Sequence, residues 1–158
     1  MSDKVFVDTN VLLYARDARQ PAKQPVAWHW LEALWRERRG CLSFQVLQEY
    51  YVNVTQKLKP GLPPPEARRD VRNLLAWKPV KTDGILLESA WSLADRYGFS
   101  WWDAQIVAAA RLADCAFLLS EDMQHGLDVN GTRIVNPFMP DAPSPGRSTS
   151  LRPAPDRC

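Results

Sequence analysis

The sequence predicts one α/β domain built on a mostly parallel sheet, and three observations carry that prediction. Short β-branched or aromatic runs alternate with amphipathic stretches from end to end, the pattern of successive strand–helix units. The 158 residues are 46 % hydrophobic and 24 % charged, which suits a single core of useful size with a soluble surface. Proline and glycine stand at the ends of the periodic segments.

Taken in order, Lys4 to Val7 alternates little, is β-branched or aromatic after the lysine, and reads as a buried strand. Pro21 and Pro25 bracket the start of a helix through Val26, Trp30, Leu31 and Leu34, which ends at basic residues and Gly40. Cys41 to Phe44 fits a short strand, and Gln45 to Leu58 a helix stopped by Pro60 and Gly61. Pro63 to Pro65 open the next helix, with Glu66 and Asp70 in early turns where the helix dipole favours acids. Its apolar face is Ala67, Val71, Leu74 and Leu75, and Pro79 ends it; Val80 is at best a one-turn strand. Ile85 to Tyr97 is an amphipathic helix closed by Gly98, and Trp102 to Ala113 is another. Ala116 to Leu119 reads as a buried strand and Arg133 to Val135 as a short last one. No internal repeat is visible. The domain is expected over residues 1–139; residues 140–158, "PDAPSPGRSTSLRPAPDRC", read as a disordered tail almost without core-forming side chains.

Several classes are disfavoured. The N-terminus has no basic stretch leading into an apolar one, and no apolar run is long enough to span a bilayer, so a cytoplasmic protein is expected. Cys41, Cys115 and Cys158 are widely spaced and form no CxxC or Cys/His pair, so they read as inert thiols. The net charge of +2 argues neither for nor against a polyanionic partner. Arg36, Arg38, Arg39, Arg68 and Arg69 fit either phosphate contacts or solvated helix faces.

Four acids stand where packing has little use for them. Asp8 ends the first strand and Asp122 follows "AFLLSE"; in a parallel α/β sheet ligands bind beyond such carboxyl ends, although an aspartate there also serves as a helix N-cap. Asp103 shares a helix face with Ile106, Val107 and Ala110. Glu49 lies with Val46, Tyr50 and Asn53. A carboxylate on a buried stripe requires a cation, a proton or the relief of a helix N-terminus. If all four converge, their repulsion calls for a cation, and hard oxygen donors suit Mg²⁺ or Mn²⁺. Such an ion activates water and binds phosphate oxygens, which is phosphodiester hydrolysis.

The ordered set "VDTNVLLYA", "QVLQEYYVN", "WWDAQIVAAA", "LLSEDMQHG" and "RIVNPF" resembles the PIN domain, in particular the VapC-type toxins of bacterial toxin–antitoxin pairs, over about residues 4 to 138. The resemblance implies a three-layer α/β/α sandwich and a Mg²⁺- or Mn²⁺-dependent endoribonuclease acting on RNA. It also implies homodimers and an antitoxin that blocks the site. The implied catalytic set is Asp8, Glu49, Asp103 and Asp122, with Asp8, Asp103 and Asp122 as metal ligands. Thr9, Asn10 and Ser120 match supporting positions, where turn and capping hydrogen bonds are an equal alternative. Where many relatives carry a further acid after the position of Asp122, this chain has Gln124 and His125.

One aromatic question stays open in the sequence. Trp101 and Trp102 flank Asp103 and suit either base stacking or packing in a core or dimer. Trp91 and Phe99 read as core. Two other functions compete with the nuclease. A phosphatase with Asp8 as nucleophile would want a second Asp where Asn10 stands. A non-catalytic binding module would have no need of all four acids.

Overall fold

The computed structural model describes residues 3–145. Five strands form one sheet in the order β2-β1-β3-β5-β4, where β1 is Val5–Val7, β2 Gly40–Cys41, β3 Phe117–Leu119, β4 Asp128–Val129 and β5 Thr132–Val135. β2, β1, β3 and β5 run parallel, and β4 returns antiparallel on the edge. Val5, Phe6 and Val7 are all fully buried, as expected of a central parallel strand covered on both faces.

The helices are α1 (Thr9–Tyr14), α2 (Gln24–Glu37), α3 (Phe44–Val52), α4 (Pro64–Leu74), α5 (Gly84–Tyr97) and α6 (Trp101–Leu112). They flank the sheet: α1 packs on α2 and α3, α3 on α4, and α5 on α6, which also touches β3. The core joins Phe6, Val7 and Leu118 of the sheet to Trp30, Leu34, Val46, Leu86 and Val107 of the helices. Ser43, Asp83 and Ser100 cap α3, α5 and α6, each accepting from the N–H three residues on. A partly buried polar cluster ties α4 to the rest. Arg16 pairs with Asp70, whose carboxylate also accepts from the Tyr50 hydroxyl.

The expected α/β class and mostly parallel sheet are present, with local corrections. α2 stops at Arg38, which takes the left-handed turn at φ 55°, so Gly40 is free to open β2. Only glycine fits there, because a Cβ would lie 2.4 Å from the Trp77 ring. The strand expected over Cys41 to Phe44 ends at Cys41: Ser43 caps α3 and Phe44 begins it, leaving Ser43 an isolated bridge to Val80. The helix expected to run from Gln45 to Leu58 is α until Val52 and then widens into a π turn over Asn53–Lys57. Two elements go beyond the expected set, α1 and β4. Trp91 is half exposed rather than core, its ring stacked on Trp101 at 5.9 Å. Arg39 is buried and held by Glu37 and the Asp3 carbonyl, so it is not a phosphate contact. Most of the expected tail, residues 146–158, lies outside the described residues. Among the described residues no helix is long and apolar enough to cross a membrane.

Candidate active site

Asp8 continues β1 by donating its N–H to the Leu119 carbonyl at 3.0 Å, and then turns the chain into α1 as its N-cap. It is both a cap and a buried acid, 6 % exposed at the carboxyl end of the central strand. Its Oδ1 accepts from the Thr9 N–H at 2.7 Å and its Oδ2 from the Ser120 hydroxyl at 2.8 Å. Burial pushes the carboxyl up to about 7, against the pull of those two hydrogen bonds, and the charges of Glu49 and Asp103 push it the same way.

Glu49 reaches the same place from α3. The Thr9 hydroxyl donates to its Oε2 at 2.8 Å and the Gln45 amide to its Oε1 at 3.0 Å, so both oxygens are oriented. Asp103 sits in the first turn of α6, half-buried at the head of the apolar stripe of Ile106, Val107 and Ala110. Its carboxyl is also raised, first by burial and then by the charges of Asp122 and Glu49. Asp122 is exposed on the turn after β3; its Oδ2 accepts from the Asn10 amide at 3.1 Å, and its N–H donates to the Ser120 hydroxyl at 3.2 Å. Asn10 also accepts the Glu121 N–H, at 3.2 Å, and so clamps that turn onto α1.

One hollow of about 210 Å³ is therefore walled by Asp8, Glu49, Asp103 and Asp122, with Thr9 and Asn10 beside them. Ser120 lies behind the wall, fully buried. Larger hollows of about 370 and 870 Å³ lie elsewhere, lined by residues such as Trp35 and Trp77; neither contains any of the four acids. Among the described residues no three His, Cys, Asp or Glu side chains stand as a ready metal cage. The acids ring the hollow instead of meeting at one point. The donor set still suits a hard divalent cation: the wall offers carboxylate and amide oxygens but no sulfur or imidazole. Asp8 is a buried carboxylate with no basic side chain among its hydrogen-bond partners, held short of full ionisation at neutral pH.

Gln45, Leu13 and Ile106 also line the hollow, as does Asn53, whose amide donates to the Glu49 carbonyl at 2.7 Å. Gln45 could have been found from its spacing, since it lies one helical turn before Glu49. Glu121 could not. Its carboxylate accepts from Tyr14 and pairs with Lys23, each at 2.7 Å, contacts that no local pattern reveals. His125 is not part of the wall; its Nδ1 accepts from the Asn136 N–H at 2.9 Å.

The PIN domain family matches residues 5–126, a span that holds all four acids. The chain belongs to the PIN domain family. Two solved structures share the PIN architecture at low identity. One is a toxin–antitoxin complex from Klebsiella pneumoniae, 18 % identical, covering 85 % of this chain and 98 % of that one with a TM-score of 0.56. The other is VapC20 of Mycobacterium tuberculosis, a sarcin–ricin loop cleaving toxin, 20 % identical, covering 75 % and 92 % with a TM-score of 0.53. No curated protein matches the chain. At these identities the two structures speak for the fold, and the PIN site is read from its own residues.

Proposed function

We propose that this PIN protein is a Mg²⁺- or Mn²⁺-dependent endoribonuclease that hydrolyses phosphodiester bonds in RNA, acting in the cytoplasm as the toxin of a toxin–antitoxin pair. The observation that carries the reading is the acidic hollow itself. Four carboxylates from four separate elements face one cavity at the carboxyl end of a parallel sheet, and the most buried of them resists ionisation. A buried carboxylate with further acids facing the same cavity is tolerated at sites that bind cations.

Asp8, Asp103 and Asp122 would hold the ion, and Glu49 would complete its surroundings directly or through water. A bound divalent cation supplies an acidified water and neutralises charge on the phosphate oxygens. The chain's own contribution is orientation. Thr9 and Gln45 fix both oxygens of Glu49, Ser120 fixes Asp8, and Asn10 holds Asp122 toward the hollow. Holding reacting groups in place in this way accounts for a large share of a hydrolytic rate. The likeness to one chain of a toxin–antitoxin complex supports a protein antitoxin as partner, and a homodimer belongs to the same reading.

The test is cleavage of RNA by the purified protein with Mg²⁺, Mn²⁺ or EDTA, beside the Asp8→Asn variant. Cleavage that needs both the cation and Asp8 is expected. Cleavage retained by Asp8→Asn would overturn the site, and a folded wild type silent with every cation would favour a non-catalytic binding role.

A further inference from the structure

Among the described residues the acidic hollow has a single aromatic residue in its wall, Trp102. It is 63 % exposed, more than any other tryptophan among the exposed apolar side chains, although Trp28, Trp35 and Trp91 are each about half exposed. Those three do not line the hollow. Trp102 immediately precedes Asp103 in the first turn of α6, so an exposed aromatic residue and an acid of the proposed cation site follow one another in the wall of the hollow.

The root of that ring is held while the ring itself is open to water. The Trp102 carbonyl accepts from the Gln45 amide at 3.3 Å, which ties α6 to α3 across the hollow. On the other side Trp101 is locked by its stack on Trp91. An anchored indole with an open face at the edge of a phosphodiester site suits a flat, unpaired base, since stacking needs a π-face and little else. A base inside a duplex is already stacked and cannot use it. Gln45 and Asn53, on the same wall, donate through their amide nitrogens to the protein itself, and their amide oxygens are acceptors of the kind that pair with base edges.

We propose that Trp102 is the stacking platform for an unpaired base next to the scissile phosphate. This rests on the nuclease reading above and adds a specificity-determining residue to it. Trp102 acts on binding, so its loss raises KM more than it lowers kcat.

The test compares Trp102→Ala and Trp102→Phe with the parent, all in an Asp8→Asn background with Mg²⁺ so that nothing is cut. The probe is a short fluorescein-labelled single-stranded RNA, alone and annealed to its complement, followed by anisotropy. Trp102→Ala is expected to weaken single-strand binding roughly 5- to 100-fold and to leave duplex binding unchanged, while Trp102→Phe restores most of the loss. In the cleaving enzyme the same loss should appear in KM. Equal single-strand affinity in all three proteins overturns the proposal, as does a loss confined to self-association or to protein binding. Failure of the nuclease reading shows separately, in a wild type that cuts no RNA with any cation. The exposed position of Trp102 lets both variants fold, and equal melting temperatures check that.

Discussion

The Ser120 hydroxyl donates to Oδ2 of Asp8 at 2.8 Å while it accepts from the Asp122 N–H at 3.2 Å. One fully buried oxygen thus joins the end of β1 to the turn after β3 and sets two acids of the hollow relative to each other. β1 and β3 are hydrogen-bonded neighbours in parallel register, so the two turns necessarily emerge side by side.

Ser120→Ala should therefore do two things. It leaves Oδ2 of Asp8 with only the Asn10 amide at 3.5 Å, and it leaves the Asp122 N–H without that acceptor. Losing a buried partner of this kind costs about 1–3 kcal/mol of stability. Because the serine bond lowers the Asp8 pKa, its removal pushes that group further above about 7. The acid limb of the cleavage pH profile should move to higher pH. Urea denaturation and a pH–rate profile check the two effects, and an unmoved acid limb would contradict the second.

The titration of Asp8 also makes a stability prediction. Its carboxyl stands at about 7 in the folded protein, against an ordinary 3.8. Between those values the folded protein keeps a proton that the unfolded chain has released, so stability falls as pH rises through the window. The Asp8→Asn variant lacks this dependence. It should match the wild type near pH 4 and exceed it by on the order of 2–4 kcal/mol at pH 8. Thermal melts across pH measure the gap, which should narrow when Mn²⁺ is added. If Asp8→Asn is less stable than the wild type at every pH, the capping bond to Thr9 matters more than the charge.

How much of this is legible in the sequence depends on how far apart the partners lie. "VFVD" announces both a buried central strand and an acid at its carboxyl end, and Asp103 on an apolar stripe announces itself similarly. Asp8 does cap α1, and the same carboxylate walls the hollow, a double placement that periodicity cannot reveal. α1 escapes a sequence reading because "TNVLLY" is only a turn and a half of helix and is held by α2 and α3 more than by its own propensity. β4 is different, for it leaves a readable mark: Asn130–Gly131, with φ 51° and 98°, is a strong hairpin signal. The π turn after Val52 keeps an apparently helical spacing and leaves no mark in the sequence.

Away from the hollow, Asp70 is the joint between α4 and the α1–α3 layer. It takes Arg16 at 3.0 Å through Nε and also the Tyr50 hydroxyl, whose own ionisation burial and Asp70 push far up. Tyr50→Phe keeps the ring and the Arg16 pair, so it should cost about 1 kcal/mol. Asp70→Asn leaves a partly buried guanidinium with only the longer contact to Glu66, at 3.6 Å, and should cost more, roughly 1–3 kcal/mol. Neither residue lines the acidic hollow, so cleavage per folded molecule should be unchanged. Denaturant midpoints against specific activity separate these outcomes.

Glu121 tests whether the turn that carries Asp122 must be held from outside. Its carboxylate accepts from Tyr14 and pairs with Lys23, and the Lys23 ammonium lies 4.6 Å from the Tyr14 ring centroid. The pair is partly exposed, with side chains 24 % and 33 % accessible, so its direct contribution to stability is small, about 1 kcal/mol or less. Its geometric effect is larger, because the adjacent residues on either side are Ser120 and Asp122. Glu121→Ala should leave the melting temperature nearly unchanged. It should lower cleavage roughly tenfold and raise the Mg²⁺ concentration needed for half-maximal rate, as expected when a positioned group is displaced by a fraction of an ångström. Glu121→Gln keeps an oxygen for the Tyr14 hydroxyl and should recover part of the rate, whereas Lys23→Ala should reproduce part of the loss. If Glu121→Ala shifts the melting temperature by several degrees and leaves the cation requirement untouched, the cluster is a structural brace alone.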